Sequence, residues 1–421
     1  MTLSSFAPRV LAAAVLFVSI SSCSENLDSS GVCSVLCPPI GGEVKTITLD
    51  VAVVVDTTVQ SFSGLGTEPG LLLAARGDTL DTRVIIRFDS LPDTFTPTGG
   101  TVGPITSVDS AYIRLRVDTL SIKGAEPVTI EAYDVDTTAN DTSTAAVLAL
   151  FRPDRFISSQ TFARAELKDT LKYFISNAVL LAKIQANTPF RVGLRATGPG
   201  SSQMLIRSTE TGANAPVLSF RATPDTNTKP IAVATFSTTP AGEPIRAANL
   251  SDYTVIAKAP PSGSPSDLVT GGLPPHRIYI RFDIPSSIID SQTVVRATLL
   301  LNQLPNPLLD PGDTVLLLPH VGLAGKVVTD PVKAAQIIAG ITVDTLRLTP
   351  GGAGTREVEL ASAFALWRTQ KPEVLPRAIV LRTVTEGSSP VELRFSSSEE
   401  IAALRPRLRI SYTSQVPLRL P

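Results

Sequence analysis

The sequence predicts an all-β protein that contains two tandem antiparallel, jelly-roll-like β-sandwiches with short helical insertions. After residue 43, short runs rich in Val, Ile, Leu and Thr alternate with Pro, Gly, Asp and Asn, a pattern typical of strands and turns. Aromatic residues make up only 5% of the chain. The stretch RVIIRFD at residues 83–89 returns as RIYIRFD at residues 277–283, which indicates a duplicated domain.

The first 22 residues have the features of a lipoprotein signal peptide. Arg9 precedes an apolar run at residues 10–20, and small residues lead to Cys23. The sequence Ile-Ser-Ser-Cys resembles a bacterial lipobox, which implies that Cys23 receives diacylglycerol and becomes the first residue of the mature chain. The alternative is an ordinary signal peptide followed by a chance cysteine. Ser24 resembles a sorting residue that permits export, so we expect an outer-membrane lipoprotein that faces the periplasm or the cell surface.

The other two cysteines, Cys33 and Cys37, lie in a stretch rich in Ser, Gly and Pro that is predicted to be a tether, residues 23–43. An even pair of cysteines in an oxidising compartment makes a small disulfide loop a candidate. Two thiols lack the further ligands that a closed zinc site needs, so no metal site is predicted here.

The charge balance argues against nucleic acid as a partner. Removal of residues 1–22 removes one basic residue and no acidic one, which leaves 36 basic and 38 acidic residues. A near-neutral surface gives no general attraction to nucleic acid. No phosphate-binding loop or cofactor motif occurs in the sequence, so no cofactor is predicted.

Four matched segments define the predicted domains. They recur in the same order at offsets of 194, 186, 187 and 190 residues, and small drifts of this kind are typical of loops. The prediction is a first β-sandwich at residues 44–223, a linker at 224–229, a second β-sandwich at 230–414 and a tail at 415–421.

Alternation within the repeated phrase predicts which side chains form the core. Ile86 and Phe88 share one strand face, as do Ile280 and Phe282 in the second copy. We expect these two pairs to occupy equivalent buried positions.

The opposite face of the same strands is predicted to be exposed. On it, Asp89 is expected to pair with Arg87 two residues earlier, and Asp283 with Arg281.

Two segments have helical rather than alternating spacing. Residues 165–186 place apolar side chains at intervals of three and four, and residues 360–369 place Trp367 on an apolar helical face. Both segments precede matched strands, so we expect them to occupy the same place in the two copies. Trp367 is predicted to be a core residue.

The order of these motifs resembles the DNRLRE type of β-sandwich domain, which is related to a group of carbohydrate-binding modules. This resemblance implies a two-sheet sandwich used outside the cell for binding or as a structural module, and it covers most of residues 44–414. The matching residues of the second copy are Arg281, Phe282, Asp283, Ala297, Trp367, Ser397, Glu399, Pro406, Arg407 and Leu408, and those of the first are Arg87, Phe88, Asp89, Ala111, Ser208, Glu210, Pro216, Val217 and Leu218.

Catalytic chemistry is not predicted. The two histidines, His276 and His320, lie in strand-end contexts without a motif for nucleophilic catalysis. Loop acids such as Asp134, Asp136 and Asp141 could serve a glycosidase or a calcium ion, but solvation of a loop explains them more simply.

Two groups of residues are candidates for contact with a glycan. Tyr112 and Tyr279 are expected to face outward, where an aromatic ring can stack on a sugar. Arg405, Arg407 and Arg409 alternate onto one face of the last strand, where they could meet an anionic polysaccharide. Protection of an edge strand against aggregation is the alternative explanation for these three charges.

These observations together predict a lipid-anchored cell-envelope protein with two non-catalytic modules that serve a binding or structural role. The expected partners are the membrane, through the lipid, and an envelope or extracellular polysaccharide or an envelope protein. The alternatives are an extracellular carbohydrate-binding protein and a glycan-processing enzyme.

Overall fold

The structure is a computed structural model, which describes residues 44–50, 52–61, 66–136, 143–222, 229–238, 250–323, 337–342, 345–370 and 375–414. The predicted signal peptide, the tether with Cys23, Cys33 and Cys37, most of the predicted linker and the tail lie outside the described residues.

The described residues form 25 strands. In chain order these are β1 (Lys45–Leu49), β2 (Val53–Gln60), β3 (Gly70–Arg76), β4 (Leu80–Phe88), β5 (Thr94–Phe95), β6 (Gly103–Pro104), β7 (Asp109–Lys123), β8 (Val128–Asp134), β9 (Phe156–Phe162), β10 (Thr170–Phe174), β11 (Phe190–Thr197), β12 (Ser202–Arg207), β13 (Val217–Arg221), β14 (Ile231–Ala234), β15 (Asp252–Lys258), β16 (Asp267–Gly271), β17 (His276–Phe282), β18 (Gln292–Leu304), β19 (Val315–Gly322), β20 (Ile337–Thr342), β21 (Leu346–Leu348), β22 (Gly354–Glu359), β23 (Ala378–Thr383), β24 (Glu392–Ser396) and β25 (Arg407–Ser414).

The described helices are short. They are α1 (Thr144–Leu148), α2 (Asn177–Gln185), α3 (Ser286–Ile289) and α4 (Ala361–Thr369), with 3₁₀ segments at Pro153–Arg155, Arg164–Glu166 and Thr209–Asn214. Within the described ranges, none of them is long and apolar enough to cross a membrane. Strands dominate, and the predicted all-β class with two antiparallel sandwiches is confirmed.

Each sandwich is one large antiparallel sheet whose longest strand belongs to both layers. In the first, the order is β14-β13-β7-β12-β3-β4-β11-β8-β9, with β10 on β7 and β15 on β4. The start of β7 pairs with β10 and β13, and its end pairs with β12. In the second sandwich, β18 joins the layers in the same way through β25 and β24.

The two cores are equivalent, as predicted. Ile86 and Phe88 are fully buried in one apolar cluster, and Ile280 and Phe282 are buried in another. Val192 lies opposite Ile86, and Ile379, at the matched position of the second copy, lies opposite Ile280. Alternation of apolar side chains along each strand therefore produces the same core twice.

The first two strands of each copy are exchanged between the sandwiches. Strands β1 and β2 open the chain, yet β1 pairs with β25 and β2 pairs with β17. Strands β14 and β15 open the second copy, yet β14 pairs with β13 and β15 pairs with β4. The first sandwich is thus built from residues 70–258, and the second from residues 45–60 and 267–414.

This exchange corrects the predicted domain boundaries at 44–223 and 230–414. A sandwich that ended at residue 223 would lack β14 and β15. The matched sequence segments show that the domain is duplicated. Both copies, however, have equivalent strands with which an opening strand pair can pair: β13 and β4 in the first, β25 and β17 in the second. The repeat pattern alone therefore does not determine with which copy each opening strand pair associates.

The predicted helix at residues 165–186 is only partly correct. Its first part is strand β10, in which Leu171 and Tyr173 are buried and Lys172 and Phe174 are exposed. Ser176 then caps α2. In the second copy β22 and α4 follow each other in the same way. The equivalent placement of the two segments is therefore confirmed, as is the burial of Trp367, which is 1% exposed.

The two sandwiches also contact each other directly. Arg76 forms a two-pronged ion pair with Asp310 at 2.6 and 3.2 Å, and Lys123 Nζ lies 2.6 Å from Asp313. Beside these pairs is a shared apolar cluster made of Leu72, Ala74, Leu80, Leu273 and Leu309. The contact joins the sandwiches by apolar burial as well as by charge.

Candidate functional site

The most distinctive exposed surface lies on the outer side of the first sandwich. Strands β10, β7 and β13 run side by side there, and their alternation turns every second side chain outward. Tyr112 of β7 lies directly opposite Phe174 of β10 and Ser219 of β13. One step along, Arg114 lies opposite Lys172.

We call this surface the basic aromatic face, defined by Tyr112, Arg114, Arg116, Lys172 and Phe174. The rings of Tyr112 and Phe174 are 5.9 Å apart and tilted at 59°. Lys172 Nζ lies 5.1 Å from the centre of the Tyr112 ring, within the range of a cation–π contact. The Phe174 side chain is 49% exposed, so a large apolar ring lies open to solvent.

The face carries more positive than negative charge. Arg116 contacts the carboxylate of Asp169 and is the one cation of the five-residue set with an ion pair in the described residues. Small residues lie beside the rings, since Ser219 and Ala232 pair across β13 and β14 next to Tyr112. The result is a platform with two rings and three cations.

The second sandwich has no such platform at the equivalent place. Thr298 stands where the first sandwich has Tyr112, and its strand partner is Glu359, where the first has Phe174. Glu357 takes the place of Lys172, and it lies 2.7 Å from Arg409. Arg296 lies 2.9 Å from Glu359. These acids pair with the nearby arginines, so the duplicated surface is balanced in charge.

The structure places the predicted glycan contacts in three different environments. Tyr112 lies on the basic aromatic face. Tyr279 is fully buried, so its predicted outward position is wrong. It packs with Val59 of the exchanged strand β2, which pairs with β17 on one side, and with Ala378 and Val380 of β23, which pairs with β17 on the other.

The three arginines at or near the last strand differ in their exposure and in their contacts. Arg405 is exposed, and its Nε donates to the carbonyl oxygen of Glu400. Arg407 is half-buried, and Arg409 is held by Glu357. They lie on the second sandwich and do not adjoin Tyr112, which belongs to the first.

The predicted pair between Arg87 and Asp89 is wrong. Arg87 is 1% exposed and donates to Ser237 Oγ at 3.1 Å and Tyr253 Oη at 3.3 Å. Asp89 instead accepts two hydrogen bonds from Arg191 on the neighbouring strand, at 2.7 and 2.8 Å. Burial would raise the pKa of Asp89, but the bonds from Arg191 and from Thr238 outweigh it, and its pKa lies below the ordinary value.

The second copy does not form the analogous pair either. Asp283 is exposed, and within the described ranges no ion pair joins it to Arg281. An exposed aspartate and a half-buried arginine on successive outward positions gain little from pairing in water.

The two histidines lie in different environments. His320 is 8% exposed, and Arg382 Nε donates to its Nε2 at 3.3 Å. Burial, with the charges of Arg382 and Arg277, lowers the pKa of His320 to about 4. The neutral ring thus acts as an acceptor for Arg382, as expected of a locally satisfied residue. His276 is half-buried at the start of β17.

The acids proposed for a loop site are held by cations. Lys183 Nζ lies 3.0 Å from Asp134 and 3.2 Å from Asp136, while Asp141 lies outside the described residues. Among the residues that the structure describes, no group of three or more His, Cys, Asp or Glu is placed to hold a metal.

A pair of aspartates that the sequence reading missed anchors the exchanged strands. Asp252 of β15 accepts from the backbone N–H and hydroxyl of Thr209 at 2.8 and 2.7 Å. Asp56 of β2 accepts from the same groups of Ser398 at 2.6 and 2.5 Å. The signal was present, because the two aspartates begin the similar runs DTTV and DYTV at an offset of 196 residues.

Asp252 has a second acid beside it, Glu68, in the segment that leads into β3. Burial raises the pKa of Glu68 to about 7, and the charge of Asp252 contributes to the rise. Burial also raises the pKa of Asp252 to about 6, against the hydrogen bonds from Thr209. We call Glu68 and Asp252 the carboxyl pair.

Three surface depressions contain too few acids for glycoside hydrolysis. One, of about 460 Å³, is lined by residues 195–201 and includes Asp81. A second, of about 380 Å³, includes Asp283, and a third, of about 10 Å³, includes Glu392. None of these three holds the two facing carboxylates that a glycosidase needs.

Comparison with known proteins identifies no family. No protein-family model matches the chain, and no curated protein matches it. Among solved structures, infectious bursal disease virus of the Gt strain aligns at 9% identity over 90% of this chain and 76% of that one, with a TM-score of 0.12. T=1 particles derived from infectious bursal virus align at 11% identity over 91% and 79%, with a TM-score of 0.11. Scores this low carry no inference about this chain, and the DNRLRE resemblance stays a prediction.

Proposed function

We propose that the chain is a lipid-anchored cell-envelope protein with two non-catalytic sandwiches, and that the basic aromatic face of the first binds an anionic polysaccharide. The observation that carries this proposal is the pairing of the half-buried Tyr112 ring with the exposed Phe174 ring beside Lys172, Arg114 and Arg116. The lipid anchor at Cys23 and the outer-membrane location rest on the sequence alone.

The chemistry of the face suits an acidic sugar chain. Aromatic rings offer an apolar surface to the faces of sugar rings, and Phe174 provides an open one. Lys and Arg side chains bind carboxylate or sulfate groups through charge-assisted hydrogen bonds. Because the rings and cations are spread along β7 and β10, the face fits a chain that lies along it better than a small ligand enclosed in a cavity.

A structural role is the second candidate, and the contact between the sandwiches supports it. The Arg76–Asp310 and Lys123–Asp313 pairs and the apolar cluster around Leu273 fix one sandwich against the other. A fixed pair of sandwiches can act as a spacer that holds the binding face at a set distance from the membrane.

The binding proposal is tested with a double substitution on the face. We expect Tyr112→Ala with Lys172→Ala to weaken retention on an immobilised uronic-acid polysaccharide by at least tenfold, because one stacking ring and one cation are lost. The matched control is Arg405→Ala with Arg407→Ala on the second sandwich, which should retain full binding. Affinity electrophoresis in gels that contain the polysaccharide measures both.

Three outcomes would separate the candidate sites. Loss of binding in the control pair alone would move the site to the last strand. Equal binding by all variants would remove the face as a glycan site. Absence of binding by the unmodified chain to neutral and acidic polysaccharides alike would favour the structural role.

A further inference from the structure

The carboxyl pair is buried where the chain crosses from the second sandwich into the first. Glu68 is 7% exposed and Asp252 is 1% exposed. Gly66, at a φ of +85°, brings the crossing segment against β15, since a Cβ on it would lie 3.1 Å from the carbonyl oxygen of Asp252. The Gly66 N–H donates to Glu68 Oε2 at 3.0 Å. Two acids therefore lie together in an enclosed place.

No described basic side chain compensates these acids. Neither Glu68 nor Asp252 forms an ion pair with a Lys, Arg or His of the described ranges, although eighteen such pairs between other residues are found there. The charge of a third acid, Glu210, contributes to the raised pKa of Asp252. Buried carboxylates are ordinarily paired or bound to a cation, because an isolated buried charge is costly.

One oxygen of the pair has no hydrogen-bond partner. Thr209 donates twice to Asp252 Oδ2, while the buried Oδ1 accepts no hydrogen bond. In the second sandwich the equivalent Asp56 uses both oxygens, since Ser398 donates one bond to each. The orphan Oδ1 is thus a feature of the first sandwich and does not follow from the duplicated architecture.

The second acid is also peculiar to the first sandwich. The segment that leads into β16, the counterpart of β3, is residues 260–266, and it has no acidic residue. The first copy therefore adds a carboxylate beside an aspartate that already has an unused oxygen, and both are buried. Uncharged oxygens lie near them, because Thr209 Oγ1 is 2.9 Å from Thr235 Oγ1.

We propose that the carboxyl pair is a Ca²⁺ site, with Asp252 Oδ1 and a Glu68 oxygen as the charged ligands and hydroxyl, carbonyl or water oxygens as the others. An all-oxygen set suits a hard cation, and it lacks the nitrogen and sulfur ligands that zinc prefers. Calcium tolerates irregular sites with several neutral oxygens, whereas magnesium demands near-octahedral geometry.

A bound ion would tie the crossing segment to the exchanged strand. Glu68 precedes β3 and Asp252 begins β15, so one cation would hold together two segments that are distant in sequence. The site would stabilise the exchange in the first sandwich only. This inference is independent of the proposed glycan-binding role.

The test is thermal unfolding of the full chain at pH 8, with and without Ca²⁺, together with titration calorimetry of Ca²⁺ into chelator-treated protein. We expect Ca²⁺ to raise the unfolding temperature by several degrees, more than Mg²⁺ does. Glu68→Gln should weaken Ca²⁺ binding at least tenfold and remove the temperature rise.

The control and the contrary results are equally specific. Asp56→Asn, at the equivalent place in the second sandwich, should keep the full response to Ca²⁺ even though it removes a hydrogen-bond acceptor there. The proposal is overturned if Ca²⁺ leaves the unfolding temperature of the unmodified chain unchanged, or if Glu68→Gln retains the whole shift. Asp252→Asn is informative only as a folded protein, so Glu68→Gln decides.

Discussion

A fragment of residues 66–259 is expected to fold on its own, whereas a fragment of residues 44–223 is not. The first contains every strand of the first sandwich, including β14 and β15. The second lacks these two strands, and it carries β1 and β2, whose partners in the whole chain are β25 and β17 of the second sandwich. It would expose the outer side of β4, where Ile85 and Arg87 are each 1% exposed in the whole chain.

The two fragments should differ greatly in stability because the second lacks two whole strands of its sandwich. Loss of β15 removes a full strand pairing with β4 as well as the apolar contacts of Tyr253 and Val255. Unpaired edges and uncovered apolar side chains favour aggregation. Circular dichroism on heating should show one cooperative transition for residues 66–259, and little cooperative structure for residues 44–223.

The second half gives the matched control. Residues 230–414 should remain incompletely folded alone and should gain structure when residues 44–61 are supplied as a peptide, because β1 and β2 complete that sandwich. Stable, cooperative folding of both 44–223 and 230–414 as separate fragments would contradict the strand exchange.

Trp367→Ala is expected to cost about 3 to 5 kcal/mol of unfolding free energy in the second sandwich. Trp367 is 1% exposed, and the centre of its ring lies 5.8 Å from that of Phe282 and 5.4 Å from that of Phe364. Its removal leaves a cavity between α4 and β17, and close-packed neighbours refill such a space only in part.

Urea unfolding followed by circular dichroism measures this loss, with Ile401→Ala as the control. Ile401 is 66% exposed on the same sandwich, so its truncation should change the unfolding free energy by less than about 0.5 kcal/mol. A loss below about 1 kcal/mol for Trp367→Ala would show that the ring does not fill the core as described.

Alternation in the sequence was sufficient to predict the cores. Ile86, Phe88, Ile280 and Phe282 follow the two-residue period of a strand with one buried face, and they are buried at matched positions. Helix α4 could also be predicted from the sequence, because Leu360, Phe364 and Trp367 have helical spacing. Local patterns of this kind carry information about the nearest apolar layer.

The outer faces could not be predicted in the same way. Tyr279 and Arg87 have the phase of exposed residues, but the strand paired beside each of them, β2 or β15, contributes side chains such as Val59 and Tyr253 that pack against them. Alternation along one strand contains no information about which side chains its neighbouring strands place on its outer face. Burial of these two residues is therefore a consequence of long-range strand pairing.

The basic aromatic face could be predicted only in part from the sequence. Tyr112 was predicted from its outward phase, but Lys172 and Phe174 were assigned to a helix because Leu167, Leu171 and Phe174 happen to fit helical spacing. The strand β10 has only five residues, and so short a run matches both periods. Residues 170–174 form a strand because they pair with β7, which is a long-range contact.

The most direct test of the strand exchange is a cysteine cross-link in the full chain, with Cys23, Cys33 and Cys37 replaced by Ser. Thr46 of β1 lies opposite Ser411 of β25, with their hydroxyl oxygens 2.9 Å apart. The equivalent of Ser411 in the first sandwich is Arg221, which Thr46 would face if β1 remained in its own copy. We predict that Thr46→Cys with Ser411→Cys gives an intramolecular disulfide in the monomer on oxidation, and that Thr46→Cys with Arg221→Cys does not. A cross-link in the second pair and none in the first would contradict the exchange.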